Sequence, residues 1–190
     1  MSTTVRRRGP GSRADASHPT RHELLDAAVL VADRDGIDGL SVAAVTQAAG
    51  VAKGMFYVHF TDRSTLLLEL HRRFHDNLFA AIAERTAGLP PGPDRARART
   101  IAFLDGCRRL PGVRALLLQA RSEATIRDEV QRRNDQAARL LADDLRSASD
   151  VPLECARLIV AATAEAALHE LDAQRALPRT RRALAALVPG

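Results

Sequence analysis

Apolar residues recur along this chain at three- and four-residue spacing, and that spacing predicts helices throughout. Leu24, Leu25, Ala28, Val31 and Ala32 mark a first helix, with Thr20 as N-cap, Glu23 completing a capping box and Gly36 as its stop. Ser41 is placed to cap a second helix through Val42, Val45 and Ala49, ended by Gly50. A short third helix follows from Ala52 to His59. Asp62 is placed to cap a fourth, whose stripe of Leu66, Leu67, Leu70, Phe74, Leu78 and Ile82 reaches Ala87. The run GLPPGP, residues 88–93, breaks the pattern. Beyond it, helical stretches are expected over 94–109, 112–122, 124–148, 152–174 and 179–187, punctuated by Pro111, Pro152 and Pro178. No segment alternates with period two, so the predicted fold class is all-α.

The stretch Ser41 to Phe60 organises the N-terminal part. Two short helices joined at a glycine have the helix-turn-helix layout, in which the second helix fits the major groove of B-DNA. Its outward positions are expected at Lys53, Gly54, Met55, Tyr57, Val58 and His59, with Phe56 and Phe60 turned inward. Periodicity alone fits two ordinary core helices equally well.

From Leu24 to Leu70 the sequence resembles, without a gap, the DNA-binding domain of the TetR family of transcriptional regulators. The resemblance rests on LLDAAVLVADRDG, LSVAAVTQAAGV, KGMFYVHF and TDRSTLLLEL. The rest of the chain matches only in length and helical character. The resemblance implies a three-helix DNA-binding domain over 20–72 and a helical effector-binding and dimerisation domain over 73–190. It implies a homodimer formed through about 152–187, acting as a repressor that leaves a palindromic operator when a small molecule binds. It carries DNA contacts onto Ser41, Thr46, Lys53, Gly54, Met55, Tyr57, Val58, His59 and Arg63, with Arg63 at a phosphate. Three departures stand out. Ala52 offers no hydroxyl where the family prefers Ser or Thr. Met55 brings only apolar contact. Ala43 and Ala44 leave the second helix short of long polar side chains, which shifts specificity toward DNA shape.

Composition refines this picture. The net charge is +5 and the pI about 10.4, which suits a polyanionic partner. Residues 1–19 are rich in Arg, Ser, Gly and Pro and are expected to form a disordered basic arm: Arg6, Arg7, Arg8 and Arg13 against Asp15. Residues 20–75, by contrast, hold Arg21, Arg34, Lys53, Arg63, Arg72 and Arg73 against Glu23, Asp26, Asp33, Asp35, Asp38, Asp62 and Glu69. Charge there must be arranged by face, with the arm supplying much of the attraction to phosphates. Cys107 and Cys155 are far apart in sequence and fit a reducing cytosol without a disulfide framework. There is no apolar segment of signal-peptide or membrane-spanning kind, so the expected location is cytoplasmic, with no membrane partner.

An effector cavity is expected between the second half of the fourth helix and residues 94–148. Phe74, Leu78, Phe103, Cys107, Leu117 and Leu141 would line it, with anchors among His71, His75, Gln119 and Glu123. The same residues would serve equally as closed core. His71 and His75 share the i, i+4 spacing of a metal pair but lack a clear third ligand, so no metal or other cofactor is assigned and a metal-sensing regulator is the lesser reading. Glu165 and His169 have the spacing of an ordinary helix pair. No catalytic set is visible, which leaves a small helical enzyme with an attached DNA-binding domain as the alternative from another class.

Overall fold

The computed structural model describes residues 19–109 and 124–190. Among these residues every regular element is an α-helix: α1 (Pro19–Asp35), α2 (Val42–Ala48), α3 (Lys53–His59), α4 (Arg63–Thr86), α5 (Pro93–Arg109), α6 (Ala124–Leu145), α7 (Pro152–Asp172) and α8 (Pro178–Ala186). The expected helix over 112–122 lies outside the described residues, and so does the arm as far as residue 18.

Local chemistry accounts for most helix ends. Ser41 caps α2 by accepting the Ala44 amide at 3.1 Å, and Asp62 caps α4 by accepting the Thr65 amide at 2.8 Å. Gly50 turns the chain between α2 and α3 at φ 66°, a conformation costly for any residue with a Cβ. Pro152 and Pro178 stand in the first turns of α7 and α8, where a missing amide hydrogen costs nothing. The start of α1 differs from expectation. The helix already includes Pro19, so Thr20 lies inside its first turn rather than ahead of it.

Helices α1, α2, α3 and the first half of α4 bury one another's apolar faces. Leu24, Ala28, Val31, Leu40, Val45, Phe56, Phe60 and Leu67 are all nearly inaccessible. The Phe56 and Phe60 rings meet at 5.4 Å, and the Arg21 guanidinium lies over Phe60. The same cluster continues down α4 through Phe74 and Leu78 to Leu104 and Cys107 on α5, Ile126 on α6 and Ala166 on α7. At Gly106 a Cβ would collide with the Leu78 side chain, so glycine here sets how closely α5 approaches α4. A second cluster joins Ala96, Ala138, Leu141, Leu145, Ala156, Ile159 and Val188 where α5, α6, α7 and the chain end meet. The outer helix α8 packs on α5 and α7.

Arginine–carboxylate clamps tie these helices together. Asp144, fully buried, takes Arg95 at 2.6 Å and Arg99 at 2.7 Å. Glu170, also fully buried, accepts two bonds from Arg181, both 2.6 Å, and the Leu177 amide at 2.9 Å. Burial alone would raise the Glu170 pKa, but the guanidinium and amide reverse the sign and hold it below the usual carboxylate range.

Arg63 has an unexpected role. Its Nε donates to the Leu40 carbonyl at 2.6 Å and one Nη to the Ile37 carbonyl at 2.8 Å, so it fastens the α1–α2 loop to the start of α4. Replacing Arg63 by Met should destabilise the fold by about 1.5–3 kcal/mol, because charge-assisted bonds are lost and two loop carbonyls lose their donors. Urea unfolding checks this; a midpoint unchanged from wild type would show the clamp to be dispensable.

Candidate nucleic-acid interface and ligand cavity

Helix α3 presents a ridge. Lys53 and Gly54 are exposed, as are Tyr57 and Val58, while Met55 and His59 are half-buried and Phe56 anchors the helix inward. The N-cap position of α3, Ala52, has no side-chain cap. A Cβ at Gly54 would meet no protein atom, so packing within the chain does not require glycine there.

Charge is sorted by face, as the near-neutral count over 20–75 demands. Arg21 pairs with Glu69 at 2.5 Å and Arg72 with Glu69 at 2.7 Å. Arg73 pairs with Asp26, Arg34 with Asp35, and Arg63 holds loop carbonyls. Among the described residues, Lys53 is the basic side chain of this region left without such a partner, and it projects at the N-terminal end of α3. The N-terminal ends of α2 and α3 also carry positive dipole ends, with Ser41 exposed at the first.

Two of the residues expected at DNA stand differently. Thr46 is buried, and its hydroxyl donates to the Val42 and Ala43 carbonyls at 2.9 and 3.2 Å. It is therefore a core residue of α2, because a short β-branched side chain on the inner face satisfies its hydroxyl on its own helix. Arg63 is half-buried against the α1–α2 loop, so the donors that would reach a phosphate are held by carbonyls instead.

A cavity of about 170 Å³ lies where expected, walled by the second half of α4 and by α5 and α6, with α7 as a wall that sequence reasoning did not include. Phe103 and Leu141 line it, together with Phe79, Ile82, Leu140 and Val160. Phe74, Leu78 and Cys107 do not. They belong to the closed core, where large apolar side chains facing α5 leave no space. Burial pushes the Cys107 thiol up to about 12, so it is unreactive. Leu117, Gln119 and Glu123 lie outside the described residues.

Of the paired histidines, His75 faces the cavity, while His71 is buried one turn earlier, the two rings stacked at 6.4 Å. No group of three possible metal ligands exists among the described residues. Glu69 and Asp76, their acidic neighbours, are held by Arg21, Arg72 and Arg133. Burial first, then repulsion from His71 and the positive charge of Arg133, pushes the His75 pKa down to about 3. Glu165 and His169 stand 3.3 Å apart, exposed on α7, the ordinary helix pair expected.

Geometry thus defines a class: a helix-turn-helix protein whose fourth helix runs on into further helices that wall a cavity. Residues 24–70 match the family model described as bacterial regulatory proteins, tetR family. Over 74 residues the chain is 32% identical to the HTH-type transcriptional regulator AcrR of Shigella flexneri, covering 39% of this chain and 34% of that protein. Over 81 residues it is 35% identical to the HTH-type transcriptional regulator BetI of Paraburkholderia phymatum, covering 43% of this chain and 41% of that one. The matched region therefore spans well under half the length of these curated relatives. The fold extends further: a transcriptional regulator from Rhodococcus sp. Rha1 superposes with TM-score 0.76 at 22% identity, over 88% of this chain and 93% of that one. No described helix is long and apolar enough to cross a membrane.

The depressed His75 pKa has a consequence for stability. Its folded pKa lies below the unfolded value of 6.5, so the unfolded chain binds the proton more tightly. Its contribution is complete above pH 6.5 and is lost as pH falls toward about 3. Stability should drop by up to about 1.4 kcal/mol per pH unit in that window, and His75→Leu should flatten the slope. Chemical denaturation across pH 7 to 4 decides it; parallel curves for the two proteins would remove His75 as the cause.

Proposed function

We propose that this chain is a ligand-responsive, DNA-binding regulator of transcription that acts as a homodimeric repressor in the cytoplasm. The observation that carries this reading is the ridge of Lys53, Gly54, Tyr57 and Val58 on a helix-turn-helix that shares α4 with a cavity-bearing domain. Lys53 supplies a phosphate contact. Tyr57, Val58 and Met55 supply base-edge and thymine-methyl contacts, and His59 flanks them. Ser41 contacts phosphate at the α2 N-terminus.

Two such ridges must sit about 34 Å apart to enter successive major grooves, which requires a two-fold dimer on a palindromic operator. The outer faces of α7 and α8 support that assembly. Leu158 on α7 is 72% exposed and Leu187, the residue after α8, 54% exposed, apolar side chains that a second copy would cover. The effector occupies the cavity and favours the conformation in which the two ridges no longer match the operator.

Lys53→Ala should weaken binding across all DNA sequences, whereas Tyr57→Ala should cost about 1–3 kcal/mol and relax discrimination at one base position. Electrophoretic-mobility titrations on the protein's own upstream region, alongside thermal melts, separate contact loss from unfolding. Full operator affinity in both folded variants would remove α3 from the interface.

Gly54→Ala gives an independent check. Alanine favours the helix by up to about 1 kcal/mol and meets no protein atom, so the fold should gain stability. If the α3 backbone approaches DNA closely, operator affinity should nevertheless fall. Unchanged affinity in a stabilised Gly54→Ala protein would show that the approach is not close.

A further inference from the structure

The cavity's lining constrains the chemistry of what enters it. Its wall is largely apolar: Phe79, Ile82, Phe103, Leu141 and Val160. Three of its described lining residues are ionisable, Arg99, Arg133 and His75. Arg99 donates to Asp144 at 2.7 Å and to the Leu140 carbonyl at 2.8 Å. Arg133 holds Glu129 at 2.9 Å and Asp76 at 2.7 Å. Both guanidiniums thus already hold carboxylates, Arg99 sharing Asp144 with Arg95 and Arg133 sharing Glu129 with Arg72 and Arg132. The hydroxyls of Thr100 and Thr163 give their hydrogens to the Ala96 and Ile159 carbonyls, so only lone pairs remain for a ligand.

Two polar groups stand apart. His75 is 5% exposed, and neither ring nitrogen has a hydrogen-bond partner among the described residues. The amide of Asn134, half-buried on α6, lines the same cavity. An unpaired buried imidazole is costly unless something meets it. Neutral imidazole offers one donor and one acceptor, and an amide offers both kinds.

We propose that the cavity selects an uncharged, mostly apolar molecule carrying one hydroxyl group, which His75 and Asn134 hold between them. This rests on the reading of the cavity as the effector site. A hydroxyl both donates and accepts, so it completes one group on each side. A carboxylate or ammonium would shed its hydration and, among the described lining residues, meet only charged groups whose hydrogen bonds are already engaged within the protein. The size follows from the volume. An apolar cavity of about 150 Å³ admits benzene, and about 170 Å³ leaves room for a ring-sized body with its hydroxyl.

The test uses four probes built on one benzene ring, on the full chain at pH 7, titrated by calorimetry: phenol, toluene, benzoate and benzylammonium. Phenol should bind at least about tenfold more tightly than either charged probe, because only they must be stripped of an ion's hydration. It should also bind more tightly than toluene. His75→Leu and, separately, Asn134→Leu should close the gap between phenol and toluene while leaving toluene affinity in place. Ala164→Phe, which fills the cavity, should abolish binding of both. Benzoate or benzylammonium binding as tightly as phenol would overturn the neutral class and leave the cavity as a site. Absence of saturable binding by all four probes, or phenol binding that survives Ala164→Phe, would overturn the effector-site reading itself.

Discussion

Everything in this structure depends on α4 burying one continuous apolar stripe in two places. Leu66, Leu67 and Leu70 close the core beneath the helix-turn-helix, and Phe74 and Leu78 continue the same stripe against α5. One turn further on, Phe79, Ile82 and Ala83 form a wall of the cavity. A helix cannot be bent midway without breaking its own hydrogen bonds, and α4 contains neither proline nor glycine to ease a kink. In the proposed switch, α4 would carry a displacement at the cavity end to the end that holds α2 and α3. Arg63 adds to this rigidity, since it ties the first turn of α4 to the loop that precedes α2.

The second organising feature is how the protein manages charge in an Arg-rich, aromatic-poor chain. Asp144, Glu170 and Glu129 are each buried and each clamped by at least one guanidinium. Removing one partner of such a pair leaves an uncompensated charge in the interior, so these clamps specify helix arrangement strongly even where their net stabilisation is small. The planar fork of arginine suits this work, and lysine would not reproduce the two-oxygen grip of Arg181 on Glu170. The consequence around the helix-turn-helix is that most basic side chains over residues 20–75 are engaged, and Lys53 stands out on α3.

Much of this was legible in the chain. The all-α class, the caps at Ser41 and Asp62, the turn at Gly50 and the inward Phe56 and Phe60 follow from periodicity and turn chemistry, which act over a few residues. The cavity's location followed from the resemblance and its bulky apolar residues, but its wall did not. Helical periodicity is identical for a side chain that faces a void and one that faces another side chain, so Phe74, Leu78 and Cys107 could not be told from Phe103 and Leu141. Long-range pairings were equally hidden. Arg63 reaches back to Ile37 and Leu40, and Glu170 meets Arg181 across a turn, yet in sequence each is one more charge on a helix face. Thr46 failed for a related reason, since a hydroxyl on a short helix reads as polar whether or not its own backbone satisfies it.

These constraints bear on how strong a switch so small a cavity can drive. A ligand gains at most about 1.5 kcal/mol per heavy atom, so a ring-sized molecule has roughly 10 kcal/mol in total. Only the difference in its affinity for the two conformations can act on DNA binding. Typical couplings of about 1–3 kcal/mol, or roughly 5- to 150-fold in affinity, use a modest fraction of that total. The unpaired His75 sharpens the difference. It costs free energy when the cavity holds no partner for it, and a bound hydroxyl relieves that cost only in the conformation that brings α4 and α6 to the ligand together. In the proposed switch, His75 would recognise the effector from the same helix that positions α3, so recognition and response would require no longer chain of contacts than α4 itself.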